Sequence, residues 1–470
     1  MSIDNTPQIS PAGNNKWWTL AVVGAGTFMS ALTGSVVNTA LPVIGESTGA
    51  SDATLQWVVL IYLLTTSSLL LVFGRLADIY GQRKIYISGL GVFVSGSVLC
   101  GFAPNIEALI GFRALQALGA AILFAIGPAI LTAAFPGQQR GRALGLQATM
   151  TYIGLATGPA LGGFLTHAFG WPSIFFVNVP IGVIILPLSL YALKPEVTPA
   201  RQPFDPVGAV TLAVALTSLL LGFNQALRLG WGNPVVITAL GISLIAFTAF
   251  IFVELKMAHP MLDMTLFRNR VFAASTLAAF LNYMASSSVS YLMPFYLQRA
   301  AGYRVDTAGL ILITTPAVMA VVAGPAGWIS DHIGHRLPAT AGMIITAGAL
   351  LFLRVLSPDS SAVTIVPILA LLGLGVGLFT SPNNSAIMGS APRERQGVAG
   401  AILAAARNVG FTIGVAVAVM IYLSRLNTTD TQLASPADIT NAMQYATTAI
   451  AFLVVIGAVV SALRCEPNGR

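Results

Sequence analysis

The chain has 470 residues, of which 56% are hydrophobic and only 8% charged, with a mean hydropathy of +0.81. Soluble globular domains carry about 25% charged residues, so this composition excludes one and points to a lipid environment. The formal charge of +7 is accounted for by the placement of basic residues around apolar segments, set out below, and does not call for nucleic acid.

Runs of about twenty apolar residues, the length that crosses a hydrocarbon core about 30 Å thick, recur along the chain. They predict fourteen spans, at 17–40, 55–73, 85–102, 108–135, 143–165, 174–193, 207–227, 235–252, 271–297, 308–329, 339–356, 363–388, 397–423 and 442–463. The expected fold class is therefore an all-α polytopic membrane protein. The first run lacks a small-residue cleavage site and reads as a retained helix, not a signal peptide, and the tail before it, 1–16, is polar.

With Met1 on the cytoplasmic side, sixteen lysines and arginines fall inside, among them Lys16, Arg75, Arg83, Lys84, Arg140, Arg142 and Arg336. Five fall outside, namely Arg228, Arg299, Arg304, Arg354 and Arg425, and Arg113 and Arg407 lie within spans. This asymmetry satisfies the positive-inside rule with an even number of spans and both termini cytoplasmic. Cys100 and Cys465 are too far apart in sequence to suggest a disulfide framework, and His167, His259, His332 and His335 form no metal-ligand spacing, so neither metal nor cofactor is expected.

One polar loop occurs twice. Gly74, Asp78, Gly81 and Arg83 in GRLADIYGQR return as Gly327, Asp331, Gly334 and Arg336 in GWISDHIGHR, each displaced by 253 positions. Leu41 and Pro42 likewise correspond to Met293 and Pro294, and Pro128 to Pro382, to within a residue or two. Spans one to six then repeat as nine to fourteen, and seven and eight are an insert. The expected organisation is a tail at 1–16, a six-helix bundle at 17–193, a linker with the two inserted spans at 194–256, a second six-helix bundle at 257–463, and a tail at 464–470. Parallel six-helix repeats with a site between them near the midplane are the plan of one class of secondary transporter.

The repeated loop, Arg113-Ala-Leu-Gln116-Ala-Leu-Gly119 in span four and Gly154-Leu-Ala-Thr-Gly158-Pro159-Ala-Leu-Gly162-Gly163 in span five carry a family resemblance. So do Trp57, Tyr62, FFVNVPIG at 175–182 and the run around Phe204, Asp205 and Gly208. Over residues 17 to 463 the chain resembles the major facilitator superfamily, and within it the fourteen-span drug:proton antiporter family. The resemblance implies a multidrug-type exporter in the inner membrane, a monomer whose partners are a small-molecule substrate, protons and the bilayer. It implies that the proton motive force drives transport.

The loop chemistry suits a gate. A carboxylate at a span end, such as Asp78 or Asp331, can accept hydrogen bonds from a neighbouring helix N-terminus and pair with Arg or Lys, while Gly74, Gly81, Gly327 and Gly334 permit close backbone approach. The resemblance implies that Asp78 with Arg83, and Asp331 with Arg336, clamp two helices in one state; a static turn is the alternative. Gly154, Gly158, Pro159, Gly162 and Gly163 put small residues along one face and allow a bend, a pattern the resemblance ties to antiport and outward transport. Arg113 and Arg407 are charges in apolar helices, for which the resemblance implies a role in proton coupling or state switching, the alternative being an arginine satisfied by backbone carbonyls of a neighbouring span. Glu107 is a further coupling candidate.

The family's multidrug members place an aspartate near the end of span one, where this chain has Thr33. All sixteen acids fall in tails, loops or span ends. Without a buried carboxylate, a preference for lipophilic dications is disfavoured. Candidate cavity residues are neutral: Thr33, Asn38, Trp57, Tyr62, Gln147, Tyr152, Asn282, Tyr283, Tyr291, Tyr296, Asn383 and Asn384. They suit neutral, zwitterionic or anionic amphipaths, with Arg113 or Arg407 as counter-charge. An exporter or facilitator without proton coupling is the competing expectation. An enzyme is not expected, since no nucleophile or metal cluster converges, and an ATP-driven pump lacks its GxxxxGK[ST] loop.

Overall fold

The structure is a computed structural model, and it describes residues 15–50, 52–193, 205–256, 264–392, 395–426 and 435–464. Both expected tails lie almost wholly outside these residues. All regular structure among them is helical.

The first bundle consists of α1 (Asn15–Thr48), α2 (Asp52–Tyr80), α3 (Gln82–Gly101), α4 (Ile106–Ala134), α5 (Arg140–Phe169) and the broken pair α6 (Ser173–Phe176) and α7 (Asn178–Ala192). The second consists of α10 (Arg270–Phe295), α11 (Val305–Leu312) with α12 (Thr314–Ile333), α13 (Arg336–Phe352), α14 (Ala362–Ser390), α15 (Gln396–Arg425) and α16 (Pro436–Ala462). Between them stand α8 (Pro206–Leu229) and α9 (Pro234–Lys256). Helix starts follow local chemistry. Asn105 accepts from the Ala108 amide at 2.8 Å ahead of α4, and Asp205 accepts from Gly208 at 2.9 Å ahead of Pro206 in α8.

The two copies of the repeated loop fold alike. Gly81 and Gly334 take φ of 100° and 87° after their helices, and their amides bond to Ala77 and Ser330 carbonyls at 2.9 and 3.0 Å. Only glycine enters that backbone region without strain, so both loops need it at that point.

Fourteen spans were expected, and twelve described helices are long and apolar enough to cross a membrane. The two outside that set are α5, of 30 residues, and α10, of 26. Both are full-length helices, but α5 carries Arg140, Arg142 and a run of glycines and threonines, and α10 carries Asn282 and Ser286 to Ser288, which lower their mean hydropathy. Two further boundaries differ from expectation. The first helix runs on to Thr48 and stops where Gly49 adopts φ 67°, and the sixth and tenth segments each break into a short and a long helix.

The halves meet along two seams. At one, α2 packs on α15; at the other, α5 packs on α12. The inserted α8 lies against both α2 and α15, with Leu60, Leu64 and Leu220 in contact and Ser68 Oγ 2.7 Å from Thr217 Oγ1. It therefore covers the first seam. The inserted pair does not cover the second seam, which holds a crevice of about 400 Å³ lined by Arg142, Leu146, Gly324, Pro325 and Trp328. Outward faces expose Leu244, Ile245, Phe252, Val321 and Val363, apolar surface that suits lipid and not water.

Candidate functional site: paired clamps and a polar layer between the halves

Each repeated aspartate caps a helix of the opposite half. Asp78, near the end of α2, accepts from the amides of Gly397 and Val398 at 2.8 and 3.0 Å, the first turn of α15. Asp331, near the end of α12, accepts from Gly141 and Arg142 at 2.8 and 2.9 Å, the first turn of α5. A helix N-terminus presents unpaired N–H groups and a partial positive charge, so a carboxylate is its natural partner. Hydrogen bonds to an ionised carboxylate are worth about 1.5–3 kcal/mol each, so these four tie the halves together at this end.

Close backbone approach makes the capping fit. A Cβ on Gly74 would strike Ala401 and the Gly397 carbonyl; one on Gly327 would strike the Gly141 carbonyl and Ser381. Ser381 itself donates to the Gly141 carbonyl at 2.9 Å. The pairing of Asp78 with Arg83 is not what forms: Arg83 donates to the Leu190 carbonyl at 2.7 Å, within its own half. Arg75 and Arg395 carry charges that reach Asp78, and His332 and His335 stand near Asp331. Each loop arginine stands five residues past its aspartate and beyond the end of that helix, and Arg83 is turned back into its own half.

The glycine face of α5 packs on α1. Cβ atoms at Gly154, Gly158 and Gly162 would meet Phe28 and Ala31, Ser35, and Val36 and Thr39 respectively. Gly163 has open space around it and Pro159 is exposed, so these two lie off that face. The helix is continuous through Pro159.

Arg113 is almost fully buried and bonded within its half. Its Nε donates to the Val58 carbonyl at 3.1 Å and its Nη1 to Gln116 Oε1 at 2.8 Å, while Gln116 donates to Ser97 at 2.7 Å. The guanidinium carbon stands 4.2 Å from the Tyr62 ring centre and 5.8 Å from that of Phe175.

A second polar group spans the halves. Tyr152 Oη donates to Thr380 Oγ1 at 3.1 Å, and Tyr283 reaches the same threonine. Asn408 donates to Ser67 at 3.0 Å. Arg407 lies 4.6 Å from the Phe124 ring centre, and its charge acts on Tyr62, Tyr152 and Tyr283. Gln147 donates to Thr27 at 3.2 Å nearby on α5 and α1. Asn282 is wholly buried with neither side-chain polar atom bonded.

The remaining cavity candidates sit elsewhere. Thr33 accepts from Asn178 at 2.9 Å between α1 and α7. Asn38 and Trp57 are exposed. Tyr291 packs on Phe295, and Tyr296 donates to the Ser357 carbonyl at 2.7 Å. Asn383 donates to the Ser275 carbonyl at 3.0 Å and Asn384 is half-buried beside it. Glu107 is exposed in the first turn of α4. Sequence reading missed Phe124, Thr380, Ser67 and the capped residues Gly141 and Gly397. The last two are related by an offset of 256, close to that of the loops, and were findable.

A duplicated helical bundle whose halves cap each other's helices invites comparison with known families. The model of the Major Facilitator Superfamily matches residues 23–414 and 275–469. The chain belongs to this superfamily. Its members are transporters, so the chain is a transporter and not an enzyme. It is 36% identical to the riboflavin transporter RibZ of Clostridioides difficile, over 85% of this chain and 87% of that one. It is 35% identical to the multidrug resistance protein Stp of Mycobacterium tuberculosis, over 85% and 74%. It is 31% identical to the tetracenomycin C resistance and export protein of Streptomyces glaucescens, over 87% and 76%. The structure of the human organic anion transporter TETRAN superposes with a TM-score of 0.68 at 15% identity, covering 95% of this chain and 99% of that one, a likeness of fold.

Proposed function

We propose that this major facilitator exports hydrophobic or amphipathic, drug-like small molecules by alternating access, driven by proton antiport. The observation that carries the reading is the double clamp. Two carboxylates related by the repeat close one end of the seam between the halves, and their release is what opening that end requires. Relatives named for multidrug resistance and for tetracenomycin C export support the direction and the substrate class.

In this reading α5 and α10 cross the membrane with the other twelve helices, giving the fourteen spans of the drug:proton antiporter family. Their lengths and their contacts with α1, α12, α15 and α16 support that. The clamp end faces the cytoplasm, with both termini on that side of the cell membrane, and a monomer is the working unit. No cofactor is needed beyond the proton motive force.

A second reading, export or facilitation of neutral or anionic compounds without proton coupling, is favoured by one observation. Every described acidic residue lies in an end turn of a helix or in a loop, so no described carboxylate stands in the middle layer to carry a proton. Purified protein in liposomes separates the two. Antiport predicts lumenal pH changes that track substrate flux and a flux that responds to an imposed pH gradient; substrate flux with no proton movement would leave the second reading, and no flux of any compound would remove both.

A further inference from the structure

We propose that Arg407 is the anion-recognising residue of the substrate site, which takes flat aromatic compounds carrying a single negative charge. This rests on the transport reading above. Arg407 is the twelfth residue of α15 and Tyr152 the thirteenth of α5, counted from their clamp-end first turns. At 1.5 Å per residue both stand about 17–18 Å from that end, near the middle of a hydrocarbon core about 30 Å thick. Tyr283, the fourteenth residue of α10, stands at a similar depth.

The two intramembrane arginines differ in what they leave unused. Arg113 spends Nε and Nη1 on Val58 and Gln116 and is sandwiched by Tyr62 and Phe175. Arg407 is only half-buried, and its one hydrogen bond is a long one, from Nε to the neighbouring Asn408 at 3.3 Å. Among the described residues no carboxylate and no carbonyl accepts from its two Nη groups. A guanidinium near the membrane midplane with its four Nη N–H donors unbonded among the described residues is a fork set for an oxyanion.

Its surroundings are aromatic. Phe124 lies under the guanidinium at 4.6 Å, Tyr283 packs on Phe411 at 35° with centres 5.8 Å apart, and the charge of Arg407 reaches Tyr62, Tyr152 and Tyr283. Flat rings find stacking partners here, and a cation finds an uncompensated like charge. Asn282, buried with both amide atoms unbonded, is a further unsatisfied polar group at the same depth. The absence of any described carboxylate from this layer means that an anion meets no repulsion.

The test uses a matched pair of fluorescent probes, anilinonaphthalene sulfonate and N-phenylnaphthylamine, which share one ring system with and without the anionic group. Binding is measured to the full chain in zwitterionic lipid nanodiscs. The wild type is expected to prefer the sulfonate by about tenfold or more. Arg407→Gln should abolish that preference through loss of affinity for the sulfonate, and Arg407→Lys should keep part of it. Equal affinity of the wild type for both probes overturns the proposal even if the variants fail to fold, as does a preference that survives Arg407→Gln. Liposome flux is read separately: a charge preference in binding with no flux of any compound would remove the transport reading and leave this site standing.

Discussion

Asp78 and Asp331 do their work through atoms that belong to other helices, and that sets what a conservative change would cost. Asparagine at either position keeps one acceptor but loses the charge and the second acceptor. Asp78→Asn or Asp331→Asn is therefore expected to weaken the closed clamp by about 1.5–3 kcal/mol. Thr149 donates to the Ala320 carbonyl at 3.0 Å across the α5–α12 seam that Asp331 caps, so a cysteine placed there reports separation of the two halves, whichever seam is loosened. Thiol labelling at that site should accelerate by about tenfold or more in either variant. An unchanged rate would mean that the capping bonds do not hold the seam. The aspartates and their glycines were legible in the sequence because they repeat. Their partners were not, since Asp78 and Gly397 lie 319 residues apart and nothing local marks them as neighbours. The same holds for the two arginines. Residue type and position make Arg113 and Arg407 alike, and only packing gives one a set of acceptors and leaves the other without them.

At the scale of the helix, α5 is built to lie on α1. Its small residues recur at four-residue steps, which align along one face, and that face meets α1 backbone at Phe28, Leu32 and Val36. A larger side chain there has nowhere to go. Gly158→Leu should cost about 1–3 kcal/mol or more through overpacking, read as a lowered thermal unfolding midpoint of the purified protein. Gly163→Leu, one position past the packed face, meets open space and should leave the midpoint near that of the wild type. Equal shifts for both would show that the face does not discriminate. The glycine pattern was readable from sequence, but which of its members pack was not, because that depends on the rotation of α5 about its own axis. Expected span starts fall within two residues of the helix where a cap stands, as after Asn105 and Asp205, and the first span's end falls short where the chain runs on through polar residues, from Leu41 to Thr48.

For the whole molecule, the arrangement of basic residues predicts an orientation that labelling can check. Gln138 lies exposed beside the clamp end of α5 and Asp359 exposed at the opposite end of the bundle. Cys100 is buried, so with Cys465 replaced by alanine, single cysteines at the two positions give a clean readout. A membrane-impermeant thiol reagent added to whole cells should label Asp359→Cys and not Gln138→Cys; the reverse pattern would invert the orientation. The inserted α8 and α9 make the two seams unequal, since α8 bridges α2 and α15 while the α5–α12 seam carries an open crevice. The sequence by itself determined the apolar helical class, the repeated loop and the sign asymmetry of the basic residues, because composition, period and repeat are properties of the linear chain. Only the tertiary structure decided which helix each aspartate caps, which seam the insert covers and which arginine is left with unused donors. Those depend on contacts between segments hundreds of residues apart, and a linear pattern carries no record of them.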